Sequence, residues 1–147
     1  MKFTAAALLS IAALATATTV SFDEGYDDRS RSLTAVSCSD GSTGLITKGY
    51  KTQGDIPTFP DIGGSWEISG WGSQQCGACY TVSYQGRSIN VVGIDRSAEG
   101  LNLSKEALNT LTGGRAVEVG RIDAQVTRVD SGVCGLRASK RTIEFMG

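Results

Sequence analysis

Histidine is absent from all 147 residues. With it go the Ser-His-Asp and Cys-His nucleophile systems, His-containing zinc sites and imidazole pH switches. Proline occurs twice, at Pro57 and Pro60, so no Pro-rich linker divides the chain. Apolar runs are short, and none approaches the ~20 residues that a membrane-spanning helix needs. Charge of one sign is also lacking. Fourteen Lys and Arg face fifteen Asp and Glu, which leaves no basic footprint for a phosphate backbone and argues against nucleic acid as a partner. Glycine, by contrast, is abundant: nineteen residues, about 13% against a typical ~7%. Many glycines with few prolines point to a turn-rich, strand-rich domain, and the length suits one domain.

The start of the chain reads as a leader. Met1-Lys2-Phe3 is followed by an apolar run from Ala5 to Leu14 broken only by Ser10, and then by Ala15-Thr16-Ala17. That order fits a secretory signal peptide over residues 1–17, with a mature start at Thr18 and an extracellular product. Acidic Asp23, Glu24, Asp27 and Asp28 follow and read as a solvated arm. Four cysteines remain, Cys38, Cys76, Cys79 and Cys134. An even count in a small secreted chain argues for two disulfides, with three connectivities open. Cys76-Gly77-Ala78-Cys79 also matches a redox CxxC, but an oxidising exterior favours structural pairing.

Along the body, Leu33 to Ser37 alternates like a first strand, and residues 47–64 read as a long loop. Tyr80 to Tyr84 and Ser88 to Asp95, joined at Gln85-Gly86, predict a hairpin. Ser104 to Leu111 predicts a short helix, capped by Ser104 and stopped by Gly113-Gly114. Val117 to Val126 predicts two more strands around Gly120. About six short strands avoid exposed edges most easily by closing into a compact β-barrel.

Few residues stand out chemically. Asp95 ends the apolar strand Val91-Val92-Gly93-Ile94 and could sit at a cleft rim as an acid, or simply bond amides of the following loop. Glycosidic hydrolysis normally takes two carboxylates, and no second one sits at a matched strand end. Asp123 follows Ile122 similarly, but reads equally well as a solvent-facing strand residue. Trp66 and Trp71 lie five apart in a Gly-Ser-rich stretch and could be sugar platforms or core rings, as could Tyr26, Tyr50, Tyr80 and Tyr84. Asn102-Leu103-Ser104 is an N-glycosylation acceptor triplet.

Taken together, Cys38-Ser39-Asp40-Gly41, Phe59-Pro60 with Ile62-Gly63-Gly64, Ile68-Ser69-Gly70-Trp71, Cys76-Gly77-Ala78-Cys79-Tyr80, Val92-Gly93-Ile94-Asp95, Leu101-Asn102-Leu103 and Cys134-Gly135-Leu136 resemble the cerato-platanin family. The likeness runs in order from about Val20 to Leu136, giving a domain over residues 18–136 and a basic extension over 137–147 that reads as disordered. It implies a mainly β fold, a six-stranded double-ψ β-barrel similar to the first domain of expansins, with one or two short helices. It implies disulfides Cys38–Cys76 and Cys79–Cys134. It also implies a secreted cell-wall protein without a cofactor, metal or catalytic residues, which binds chitin or N-acetylglucosamine oligomers, extends to cellulose, loosens polysaccharide and elicits plant defence through a plant receptor. On this likeness Asp95 and Asn102 are the carbohydrate-binding residues. Two alternatives stay open: a weak polysaccharide-cleaving enzyme using Asp95, and a self-assembling surface-active protein.

Overall fold

The computed structural model describes residues 17–137. The expected leader therefore lies outside the described residues except for Ala17, and so does the C-terminal segment beyond Arg137. Six strands close into a barrel: β1 (Ala17–Phe22), β2 (Ile62–Ser65), β3 (Cys79–Tyr84), β4 (Arg87–Arg96), β5 (Leu101–Leu103) and β6 (Arg121–Val129). Their order around the barrel is β1-β5-β2-β4-β3-β6. β1 runs parallel to β5, and β2 parallel to β4, while the other neighbours are antiparallel. Those two parallel pairs require crossovers, which set the double-ψ topology apart from an up-and-down barrel. Two short helices complete the fold, α1 (Lys105–Thr112) and α2 (Ala116–Val119).

Local chemistry explains the elements that the sequence announced. β3 and β4 form the expected hairpin, and both turn residues take positive φ (Gln85 46°, Gly86 85°), as a tight two-residue turn requires. Ser104 caps α1 by accepting from the Ala107 N–H, and Gly113 at φ 73° ends it.

Three expectations are corrected. Leu33–Ala35 is a 3-10 turn capped by Ser32, not a strand, because Leu33 and Val36 bury together at a spacing of three. The residues before Gly120 form α2, not a strand: the Asn109 side chain accepts the Ala116 N–H and starts a helical turn, and β6 begins only after Gly120. The long loop ends earlier than expected, since Ile62–Ser65 is the fully buried strand β2.

The core has two parts that meet at β4. Val20, Tyr80, Val82, Val91, Leu101, Leu103, Ile122 and Ala124 pack with Ala107, Leu108 and Leu111 of α1. On the other side, Leu33, Leu45, Tyr50 and Ile56 of the loop layer pack with Ile62, Ile68, Val92 and Ile94. Residues 91–94 are therefore all buried, the pattern of a strand covered on both faces. Disulfides Cys38–Cys76 and Cys79–Cys134 pin this second layer, with Cα separations of 5.5 and 5.9 Å. The CxxC cysteines thus go to different partners, and no free cysteine remains among the described residues.

Candidate functional site

The sheet register brings the two sequence-predicted residues to one strand. Gly64 of β2 pairs with Asp95 of β4 on one side and with Asn102 of β5 on the other. Asn102 pairs in turn with Ser21 of β1. Two strand spacings of about 4.8 Å separate Asp95 from Asn102, and Gly64 contributes no side chain between them. The glycines here serve close approach. A Cβ at Gly63 would lie 2.2 Å from the Asn102 carbonyl oxygen, and one at Gly64 would lie 2.9 Å from that of Arg96. That approach explains why a Gly-Gly pair, which reads as loop, sits inside a barrel strand.

Each end of the row is held. Asp95 is half-buried; its Oδ1 accepts the Ser37 and Arg96 N–H groups at 2.9 Å each, and its Oδ2 accepts the Tyr26 hydroxyl at 2.8 Å. The amides that Asp95 bonds are thus those of Ser37, far back in the chain, and of its strand neighbour Arg96, not those of the loop after β4. Burial, and then the Asp95 carboxylate, push the Tyr26 phenol up, so Tyr26 stays a donor. Asn102 Oδ1 accepts the Ser21 hydroxyl at 3.0 Å, which leaves its two amide N–H groups without a partner among the described residues. The row thus offers an acceptor at Asp95 and donors at Asn102. The hydroxyl of Ser104, third residue of the glycosylation triplet, is fully buried and engaged with Ala107 N–H and the Pro60 carbonyl.

The other singled-out residues disperse. Asp123 is exposed on β6, opposite Thr19 of β1. The acidic run is not an arm. Asp27 accepts the Lys105 and Glu106 N–H groups at the start of α1, and Glu24 pairs with Lys105 at 3.1 Å. A cleft of ≈ 490 Å³ opens between these residues and Asn109, and neither Asp95 nor Asn102 lines it. Nearby, burial first and then the charge of Glu106 push Asp61 up to about 6. Tyr26, Tyr50 and Tyr80 are buried, whereas Trp66 and Trp71 are 43% and 66% exposed. Trp71 donates its indole N–H to Asp40 at 2.8 Å.

The sequence model of the family described as Cerato-platanin matches residues 18–136. The chain belongs to the cerato-platanin family. Among curated relatives it is 46% identical over 124 residues to the heat-stable 19 kDa antigen of Coccidioides immitis (strain RS), covering 84% of this chain and 85% of that protein. Among solved structures, cerato-platanin 2 from M. perniciosa superposes with a TM-score of 0.79 at 46% identity, over 82% of this chain and 99% of that one. The solution structure of the fungal elicitor Cerato-Platanin superposes with a TM-score of 0.72 at 36% identity, over 79% and 95%. No helix of this cerato-platanin, among the described residues, is long and apolar enough to cross a membrane.

Two groups of the cerato-platanin barrel escaped the sequence. Tyr26 and Ser21, the partners of Asp95 and Asn102, sit 69 and 81 positions away from them. Only the parallel β1–β5 pairing and the 3-10 turn Glu24–Asp27 bring them in. The second group joins Tyr80, read only as an ambiguous ring and as the end of the Cys76–Tyr80 motif, to Glu67, which no sequence signal singled out. Arg137, first residue of the segment set apart by composition, donates its backbone N–H to the Tyr50 hydroxyl at 3.0 Å.

Proposed function

We propose that this cerato-platanin is a secreted carbohydrate-binding protein that holds chitin or N-acetylglucosamine chains, with cellulose as a further substrate, along the Asp95–Gly64–Asn102 row without cutting them. The observation that carries this reading is the row itself. Asn102 N–H groups suit the carbonyl of an N-acetyl group, and the remaining Asp95 Oδ2 lone pair suits a sugar hydroxyl. Aligned groups of this kind compete with the chain–chain hydrogen bonds of a polysaccharide, and the expected consequence is loosening of the polymer. Asp95 spends both oxygens on fixed donors and so serves to orient, not to shuttle protons. A related structure is named a fungal elicitor, and we extend that role, with a plant receptor as partner, to this chain.

The test is sedimentation with chitin beads beside an assay for new reducing ends, for the wild type, Asp95→Ala and Asn102→Ala. The reading expects bound wild-type protein, several-fold weaker binding by both variants, and no reducing ends above the protein-free control. Equal binding by all three proteins contradicts the row. Reducing ends that vanish in Asp95→Ala contradict the non-cutting role.

A further inference from the structure

We infer that the surface formed by Trp66, Glu67 and Arg128 is a second sugar-ring subsite, separate from the Asp95–Asn102 row, which contacts at least one further residue of the polysaccharide. The inference rests on the carbohydrate reading above and extends it beyond Asp95 and Asn102. Trp66 follows β2 directly, two positions after Gly64, and its backbone N–H donates to the Gly100 carbonyl beside β5. The backbone of Trp66 is therefore anchored two residues beyond Gly64, the middle of the row.

The polar groups around Trp66 are ordered in an unusual way. The Tyr80 hydroxyl is 2.7 Å from Glu67 Oε1 and 2.6 Å from Ser65 Oγ. A carboxylate only accepts, so the Tyr80 proton goes to Glu67, and Ser65 must donate to the Tyr80 oxygen. Ser65 Oγ in turn accepts the Glu67 backbone N–H at 3.0 Å, which closes a ring of three hydrogen bonds. Arg128 then donates to the same Glu67 Oε1 at 3.0 Å and stands 5.8 Å from the Tyr80 ring centroid. Burial pushes the Tyr80 phenol up, in keeping with its role as donor. All of this fixes Oε1. Glu67 Oε2, the other guanidinium N–H groups of Arg128 and the indole N–H of Trp66 have no partner among the described residues.

Trp66 itself packs on one side against Tyr80, with centroids 5.8 Å apart and planes tilted by 34°, and still leaves 43% of its surface to solvent. A held indole, one fixed carboxylate with a free oxygen and one guanidinium with free donors make an apolar face rimmed by planar hydrogen-bonding groups. A pyranose ring has the matching surface, with C–H groups on its face and hydroxyls at its edge. Trp71 differs: its indole N–H is bound to Asp40, and its ring lies on the Gly41 turn, where a Cβ would come within 2.9 Å of it.

The experiment is calorimetric titration with the N-acetylglucosamine dimer and hexamer, on the wild type, Trp66→Ala, Trp66→Phe, Arg128→Ala and Asp95→Ala. We expect Trp66→Ala and Arg128→Ala to weaken hexamer binding by about tenfold. They should leave the dimer unchanged, and Trp66→Phe should retain most of the affinity. In a Trp71→Phe background the remaining Trp66 emission should shift to the blue on adding hexamer. Unchanged hexamer affinity in Trp66→Ala, with a loss in Asp95→Ala, overturns the subsite and leaves the Asp95 row standing. Loss in Trp66→Ala with none in Asp95→Ala keeps the subsite and overturns the row. No binding of the hexamer by the wild type overturns both.

Discussion

Asp95 and Tyr26 show how single side chains set the candidate site. The Tyr26 hydroxyl is the only side-chain donor to Asp95 among the described residues, and it comes from a buried ring in the loop layer. Tyr26→Phe removes that donor and leaves a half-buried carboxylate oxygen without it. We expect a stability loss of about 1.5–3 kcal/mol, read as a lower denaturant midpoint at unchanged slope, together with weaker oligosaccharide binding. An unchanged midpoint would show that the bond contributes nothing to the fold. Asp61 makes a separate prediction. Its carboxyl is raised to about 6 in the folded chain, against about 3.9 unfolded. Between those values the folded chain holds a proton that the unfolded chain has lost, so its contribution is fully present below pH ~4 and is lost as pH climbs through ~6. Asp61→Asn should therefore raise the melting temperature at pH 7.5 and change it little at pH 4. An equal shift at both pH values contradicts a titrating origin.

The strand β2 shows most clearly what a sequence hides. Its Ile62-Gly63-Gly64-Ser65 has no alternation and a low strand propensity, and it is a strand because β4 and β5 close on it from both sides. Gly63→Ala should cost on the order of 2–4 kcal/mol, since its Cβ meets backbone atoms of Asn102 and Leu103 that cannot move without breaking the ladder. Denaturant unfolding measures it, and a loss under 1 kcal/mol would mean that β2 gives way easily. Elements that carry their own signals were legible: the β3–β4 hairpin from its alternation and turn, and α1 from its cap and glycine stop. Elements defined by partners were not. Leu33–Ala35 and Ala116–Val119 are single helical turns, each started by one side-chain bond, from Ser32 and Asn109, and periodicity over four residues does not separate them from strands. Asp95 stood out at the end of its apolar strand and Asn102 through family likeness, while the Ser65–Tyr80–Glu67–Arg128 group needed the barrel to assemble it.

For the molecule as a whole, stability rests on two layers that share β4, and the outer one is built from loops. That layer has little regular backbone pairing of its own; Cys38–Cys76 joins two of its segments, and Cys79–Cys134 ties it to β3. The bridges span 38 and 55 positions, for which loop-closure entropy gives about 4 kcal/mol each. That is a large share of a typical total of about 5–15 kcal/mol. Complete reduction should lower the melting temperature steeply, and unfolding should begin in the loop layer that carries Tyr26 and Ser37. Oligosaccharide affinity should fall with it, because those two residues fix Asp95. An unchanged melting temperature after verified reduction contradicts this division of labour.

A polysaccharide chain lying along the row from Asp95 to Asn102 would be seen residue by residue in an NMR titration of the protein with the N-acetylglucosamine hexamer. Backbone amide shifts should move in a saturable way at Gly64, Asp95, Arg96 and Asn102, with Trp66 and Glu67 following if the second subsite fills. The exposed Asp123 and the hairpin turn at Gln85-Gly86 should stay still. Saturable shifts confined to the acidic cleft at Glu24 and Lys105, or none at the four row residues at millimolar ligand, would contradict the account.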